Sequence, residues 1–160
     1  MVSDFPNELQ REYLKVLGSS ELKACIVGQD PYPKGANGIA FSKNSFYELF
    51  QENCCGKEVL YSLGFTKGIL RKNYKNPNVM FLNLLEEHRI AFINISYKLL
   101  NDINTKTLLE YKSYNQHFLS LANRIVVLGT SVARQTYEEH YKDYPADFVL
   151  IHPSLRARVN

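Results

Sequence analysis

Apolar residues fall along the chain in short continuous runs that alternate with helically spaced sets, and that alternation predicts the layout. Leu9, Tyr13, Val16 and Leu17 stand at helical spacing after Pro6, a residue that opens helices, and Gly18 closes the segment, which predicts an N-terminal helix. Lys23 to Val27 is a short apolar run stopped by Gly28, Asp30 and Pro31, and it predicts a first strand. Helical tendencies over Ser45 to Gln51, Lys57 to Leu63 and Val79 to His88 supply a first crossover, with Phe46, Leu49, Phe50, Phe81, Leu82 and Leu85 as apolar faces. Beyond it, Ile90 to Ile95 predicts a second strand, Thr107 to Ala122 an amphipathic helix and Ile125 to Leu128 a third strand. Ser131 to His140 then predicts a helix and Phe148 to Ile151 a fourth strand. Continuous apolar strands separated by helices belong in a parallel sheet covered on both sides, because right-handed crossovers lay the helices over it. The predicted fold is α/β: a three-layer, doubly wound, four-stranded parallel sheet with helices on both faces.

Composition narrows this picture without redirecting it. With 160 residues, 45% of them hydrophobic, residues 1–160 are expected to form one domain, and no repetitive or strongly polar tract points to disorder or a repeat array. A net charge of +3 suits a nucleic-acid partner but does not require one. Cys25, Cys54 and Cys55 match neither a disulfide framework nor the paired spacing of a zinc site, so the expectation is no metal and no cofactor. No stretch resembles a signal peptide or a membrane span, and a cytoplasmic, intracellular setting is the default.

Ligands of doubly wound sheets sit beyond the carboxyl ends of the strands, which makes the residues that follow each strand the place to seek chemistry. Here they are Gly28-Gln29-Asp30-Pro31-Tyr32, Asn94, Gly129-Thr130-Ser131 and His152-Pro153-Ser154. The set offers a carboxylate, an imidazole, amides and aromatics, with no thiol nucleophile. Asn94 can donate and accept in parallel, as the edge of a pyrimidine bearing an N–H beside a carbonyl demands, and nearby Phe41 offers a stacking face. Asp30 could stabilise positive charge on a sugar and orient water, while His152 could support negative charge on a departing base; together these describe cleavage of a glycosidic bond. Taken singly the features are ordinary: Asp-Pro-Tyr is a turn, Phe41 is core, and His152-Pro153 ends a strand.

Taken together they resemble the uracil-DNA glycosylase superfamily, and its family 1 type in particular. Val27-Gly28-Gln29-Asp30-Pro31-Tyr32 is similar to the family's water-activating motif and Gly38-Ile39-Ala40-Phe41-Ser42 to its stacking segment. Ala91-Phe92-Ile93-Asn94 resembles its uracil-reading strand, Leu128-Gly129-Thr130-Ser131 its glycine-serine loop and His152-Pro153-Ser154 the start of its DNA-intercalation loop. All five occur in the family's order. The resemblance implies a metal-independent, monofunctional hydrolase of N-glycosyl bonds that flips deoxyuridine out of DNA, releases uracil and leaves an abasic site for base excision repair. It implies catalytic roles for Asp30 and His152 and a base pocket made by Gln29 through its backbone, Tyr32, Phe41 and Asn94. Tyr32 would exclude the 5-methyl group of thymine. Ser154, Gly129 and Thr130 would contact phosphate, with Lys34, Arg156 and Arg158 adding attraction, and the wedge would be Leu155 by chemical type or Arg156 by offset. The partners implied are uracil-containing DNA, single- or double-stranded, and a protein inhibitor mimicking DNA; a monomer is the family expectation.

The sequence also departs from the pattern. Pro33 stands where the most familiar branch has a histidine that helps hold water, the stretch from Tyr32 to Phe41 is shorter, and no proline-rich segment follows Phe41. After Ser154 the family's proline is missing, and the helix that commonly follows this loop in relatives is either missing or part of a longer product; together these gaps suggest a divergent, compact branch. Pro33 motivates a second reading, a nucleic-acid-binding module with weak or no turnover. A third, a hydrolase of free nucleosides, is opposed by Arg156 and Arg158.

Overall fold

Four of the apolar runs pair side by side in one direction, in the order β2-β1-β3-β4: β1 is Ala24–Gly28, β2 Ile90–Asn94, β3 Ile125–Gly129 and β4 Phe148–Ile151. The structure, a computed structural model, describes residues 4–51 and 54–151. Around the sheet run α1 (Glu8–Leu17), α2 (Phe46–Leu49), α3 (Cys55–Ser62), α4 (Lys67–Asn73), α5 (Pro77–Glu86), α6 (Thr105–Leu119) and α7 (Ser131–His140), with a 3-10 turn at Leu100–Asp102. In this order β1 to β2 steps one way and β2 to β3 to β4 the other. Right-handed connections therefore lay α2 to α5 over one face and α6 and α7 over the opposite one. The fold is the α/β doubly wound sheet expected from the apolar pattern.

The core lies between these layers. Cys25 and Val27 of β1, Ala91 to Ile93 of β2 and Val127 of β3 are buried, covered by Phe81, Leu84 and Leu85 of α5 and by Phe118 and Leu119 of α6. Helix α1 closes the β2 edge, where the Phe92 N–H donates to the Tyr13 hydroxyl at 2.8 Å and the Tyr13 ring stacks on Phe118. Among the described residues no helix is long and apolar enough to cross a membrane.

Several boundaries differ from the sequence expectation for local reasons. Pro6 is not the first residue of α1, because Asn7 forms a reciprocal cap: its side chain accepts the Gln10 N–H at 2.8 Å and the Gln10 side chain accepts its N–H at 2.7 Å. Likewise Asn76 accepts the Val79 N–H and moves the start of α5 forward to Pro77. The stretch expected to be helical over Ser45 to Gln51 shortens to one turn, with Ser45 as its cap. Helix α4 was not among the expected elements, although Arg71, Lys72 and Lys75 read from sequence as a solvated helix face or loop; Leu70 is its one buried side chain, and Arg71 and Lys72 are exposed in its last turn.

Candidate functional site

Parallel pairing of β1 with β2 in the register Gly28 to Asn94 is what assembles the site. Both strands end at that level, so the Gln29 to Tyr32 turn and the Asn94 side chain leave the sheet together. The ladder continues just past them, with Ile95 N–H donating to Gly28 O at 2.9 Å and Ser96 N–H to Gln29 O at 3.0 Å. Phe41 arrives from the β1-to-α2 connection, in the left-handed region at φ 64°, and its ring packs edge-on against Phe92. Holding Phe41 there is a hub formed by Asn37, whose Nδ2 donates to Ser42 Oγ at 2.9 Å, Lys43 O at 3.1 Å and Asn78 Oδ1 at 2.8 Å. Gln10 of α1 braces the same loop by donating to Gly38 O at 2.9 Å.

These segments enclose a cavity of about 170 Å³. That is small against the roughly 300–1,000 Å³ of a drug-sized site and is scaled to a single heterocycle. Gln29, Asp30, Tyr32, Phe41 and Asn94, all expected from sequence to share a site, line it together. Among the described lining residues Asp30 alone bears a charge. Its Oδ2 accepts the Leu100 N–H at 2.9 Å and lies 3.5 Å from Gln29 Nε2. No described residue forms a hydrogen bond with the Asn94 side chain, whose amide is thus uncommitted in a wall where Asn94 is 3% exposed. A buried amide in that state has hydrogen-bonding capacity that a ligand can satisfy.

The backbone of Asn94, by contrast, is gripped from α6. Asn115, fully buried, donates through Nδ2 to Asn94 O at 2.7 Å and to the Tyr141 hydroxyl at 3.0 Å, and accepts from the Tyr97 hydroxyl at 2.7 Å. The Asn94 N–H in turn donates to the Tyr97 hydroxyl at 3.3 Å. Asn115→Ala would leave buried acceptors and hydroxyls unpaired, each at about 1–3 kcal/mol, and we expect a loss of about 3 kcal/mol in stability, read as a lower urea midpoint at unchanged slope.

At the neighbouring strand end, the Thr130 hydroxyl donates across to Gln29 Oε1 at 2.9 Å, tying the β3-to-α7 turn to the β1 turn and leaving α7 without a side-chain cap. Gly129 is forced here by packing, since a Cβ would come within 2.4 Å of the Ala133 Cβ. A shallow second depression of about 240 Å³ lies over Gly129, Thr130, Ser131 and Arg134. Lys34 is exposed on the loop after Tyr32. Strand β4 ends at the same edge, Ile151 pairing with Gly129. His152, Ser154, Leu155, Arg156 and Arg158, which the resemblance makes part of the site, lie outside the described residues.

Sequence reasoning missed three contributors. Cys55, from the first turn of α3, adds a thiol to the cavity wall and lies 3.2 Å from the Tyr32 hydroxyl. Leu100 holds Asp30 through its backbone, and Asn37 organises the Phe41 loop. Cys55 and Leu100 have no signature in their own neighbourhoods, whereas Asn37, in a Gly-Ala-Asn-Gly stretch, could have been flagged as a turn former.

A parallel sheet of this order with a small cavity at its carboxyl edge belongs to the class of doubly wound α/β proteins, whose ligands sit beyond the strand ends. Within that class the family can be stated: the model of the uracil DNA glycosylase superfamily matches residues 16–160, and the chain belongs to that superfamily. Comparison with curated proteins gives no match. Membership supports a glycosylase-like role on DNA, of the glycosidase type and connected with DNA repair.

Proposed function

We propose that the chain is a uracil-DNA glycosylase, which flips deoxyuridine out of DNA, hydrolyses its N-glycosidic bond and releases uracil, leaving an abasic site. One observation carries the reading: a cavity sized for one base in which, among the described residues, Asp30 is the only charged one in the wall and none forms a hydrogen bond with the Asn94 side chain. A single carboxylate cannot divide general-acid and nucleophilic work as a paired-carboxylate glycosidase does. It suits a substrate whose leaving group departs as a stabilised anion, and uracil is such a group. Asp30 stabilises positive charge on the deoxyribose and orients water, Asn94 bonds the N3–H and O4 edge, and Phe41 stacks on the ring. His152 donates to O2 as negative charge gathers there. Gln29 completes the wall through its backbone.

Flipping requires DNA contacts outside the cavity, to offset about a few kcal/mol of unstacking. The Gly129 and Thr130 amides at the start of α7, with Ser154, suit phosphate; Lys34 and Arg156 add salt-sensitive attraction, and Leu155 or Arg156 supplies the wedge. No metal enters this scheme, and one protomer suffices for it. The second reading, a nucleic-acid-binding module without turnover, has one observation behind it: Pro33 lines the cavity where the resemblance places a water-holding histidine. Incubation with single- and double-stranded oligonucleotides carrying one uracil, followed by alkali, separates the two. Scission at the uracil is the expected result, and intact strands with both substrates would leave only the binding module.

Tyr32 gives the reading a second handle. Overlap between its ring and a 5-methyl group rejects thymine more strongly than a pocket can by weak methyl recognition. Tyr32→Ala is therefore expected to release thymine from the same oligonucleotides at a measurable rate. Continued exclusion would mean that another side chain guards the pocket.

A further inference from the structure

Rejection by overlap is only as strong as the wall is stiff, and an aromatic ring on a loop can swing about its two side-chain torsions unless its far end is pinned. The far end of Tyr32 is pinned by helix α3. That helix begins after Cys54, whose side chain makes no capping hydrogen bond, so its first-turn N–H groups need acceptors from elsewhere. The Gly56 N–H finds one in the Tyr32 hydroxyl at 2.8 Å, and the Cys55 Sγ lies 3.2 Å from the same oxygen. Over the ring itself sits Lys43 Nζ, 4.7 Å from the centroid. Gly56 also brings α3 against the other aromatic wall, because a Cβ there would lie 2.1 Å from the Phe41 carbonyl oxygen and 3.1 Å from the Tyr32 hydroxyl. Burial raises the pKa of both the Tyr32 phenol and the Cys55 thiol, so the two groups meet as neutral hydrogen-bond partners.

We propose that Cys55 and Gly56 are positioning residues for base selection: they hold the Tyr32 hydroxyl so that the ring cannot yield to a 5-methyl group, and thymine exclusion belongs to this clamp rather than to the tyrosine ring alone. The proposal rests on the uracil-DNA glycosylase reading. Tyr32 serves α3 as a missing cap and α3 serves Tyr32 as an anchor, which couples the helix to the selectivity of the cavity.

The test compares single-turnover release of uracil and of thymine from single-stranded oligonucleotides that differ at that base only. Tyr32→Phe removes the pinned oxygen and keeps the ring; Cys55→Ala removes one tether; Cys55→Ser keeps a hydrogen-bonding group. The thymine-to-uracil rate ratio is expected to rise by about tenfold in Tyr32→Phe and about fivefold in Cys55→Ala, and to stay near wild type in Cys55→Ser. The double variant Tyr32→Phe/Cys55→Ala should be no less selective than Tyr32→Phe, since both changes delete the same contact. A purely structural role for α3 would lower both rates together and leave the ratio unmoved. Three outcomes overturn the clamp alone: a ratio unchanged in both single variants while the wild type releases uracil, fully additive effects in the double variant, or loss of uracil release in both single variants. A wild-type chain that releases no uracil overturns the functional reading, and the clamp with it.

Discussion

Replacing Asp30 with asparagine is expected to slow single-turnover uracil release by about 10³-fold while DNA binding stays within about twofold. The substitution is sharp because the geometry tolerates it. The carboxylate is held by the Leu100 N–H at 2.9 Å, and an asparagine Oδ1 can accept that same bond, so the side chain keeps its place and loses only its charge and its basicity. No other described wall residue is charged, so none of them can substitute as the counter-charge to a positively charged sugar. About 10³-fold corresponds to about 4 kcal/mol of transition-state stabilisation, in the range for removing one preorganised electrostatic partner in a water-poor site. A loss below about tenfold would show that the developing charge is met elsewhere, and Asp30 would then be a structural anchor of the Leu100 turn.

How far the sequence foretold this arrangement depends on whether the determining contacts are local. Helix α7 and strand β4 fall on the predicted residues because Gly129-Thr130 on one side and the apolar Phe148 to Ile151 run on the other are signals within their own neighbourhoods. Helix α4 escaped prediction because Lys67–Asn73 contains Gly68 and buries only Leu70, which leaves no apolar stripe to read. The same distinction runs through the site. Gly28 to Tyr32 and Asn94 were legible because a parallel sheet gathers its strand ends by rule, so a motif after each strand implies its neighbours, whereas Phe41 was placed by the family resemblance of its segment. The supports of those residues were not legible. Asn115 grips Asn94 across 21 positions, Gly56 grips Tyr32 across 24 and Leu100 grips Asp30 across 70, and no periodicity or turn chemistry announces such pairs.

The tightest of these dependencies falls on the smallest residue. Gly28→Ala is expected to depress uracil release by about 10²-fold and to lower stability by about 1–3 kcal/mol. A Cβ at this position would stand 2.7 Å from Asn94 Oδ1 and 2.9 and 3.1 Å from two ring carbons of Phe41. Distances under 3.0 Å require movement, and the atoms that must move belong to the group that reads the base edge and the ring that stacks on it. Asn94 has little freedom to retreat, with its backbone held by Asn115 and Tyr97, and Phe41 is confined by its left-handed backbone and by Phe92 behind it. The extra carbon would therefore be accommodated at the expense of the cavity. Gly68→Ala is the matched control: its Cβ meets nothing within 4 Å, and it should leave activity unchanged while adding about 0.5–1 kcal/mol to stability through helix propensity. Urea unfolding and single-turnover release measured on both variants separate the two effects. If Gly28→Ala unfolds earlier yet releases uracil at the wild-type rate, Asn94 and Phe41 do not set the geometry of the reacting base, and the pocket proposed here is in the wrong place.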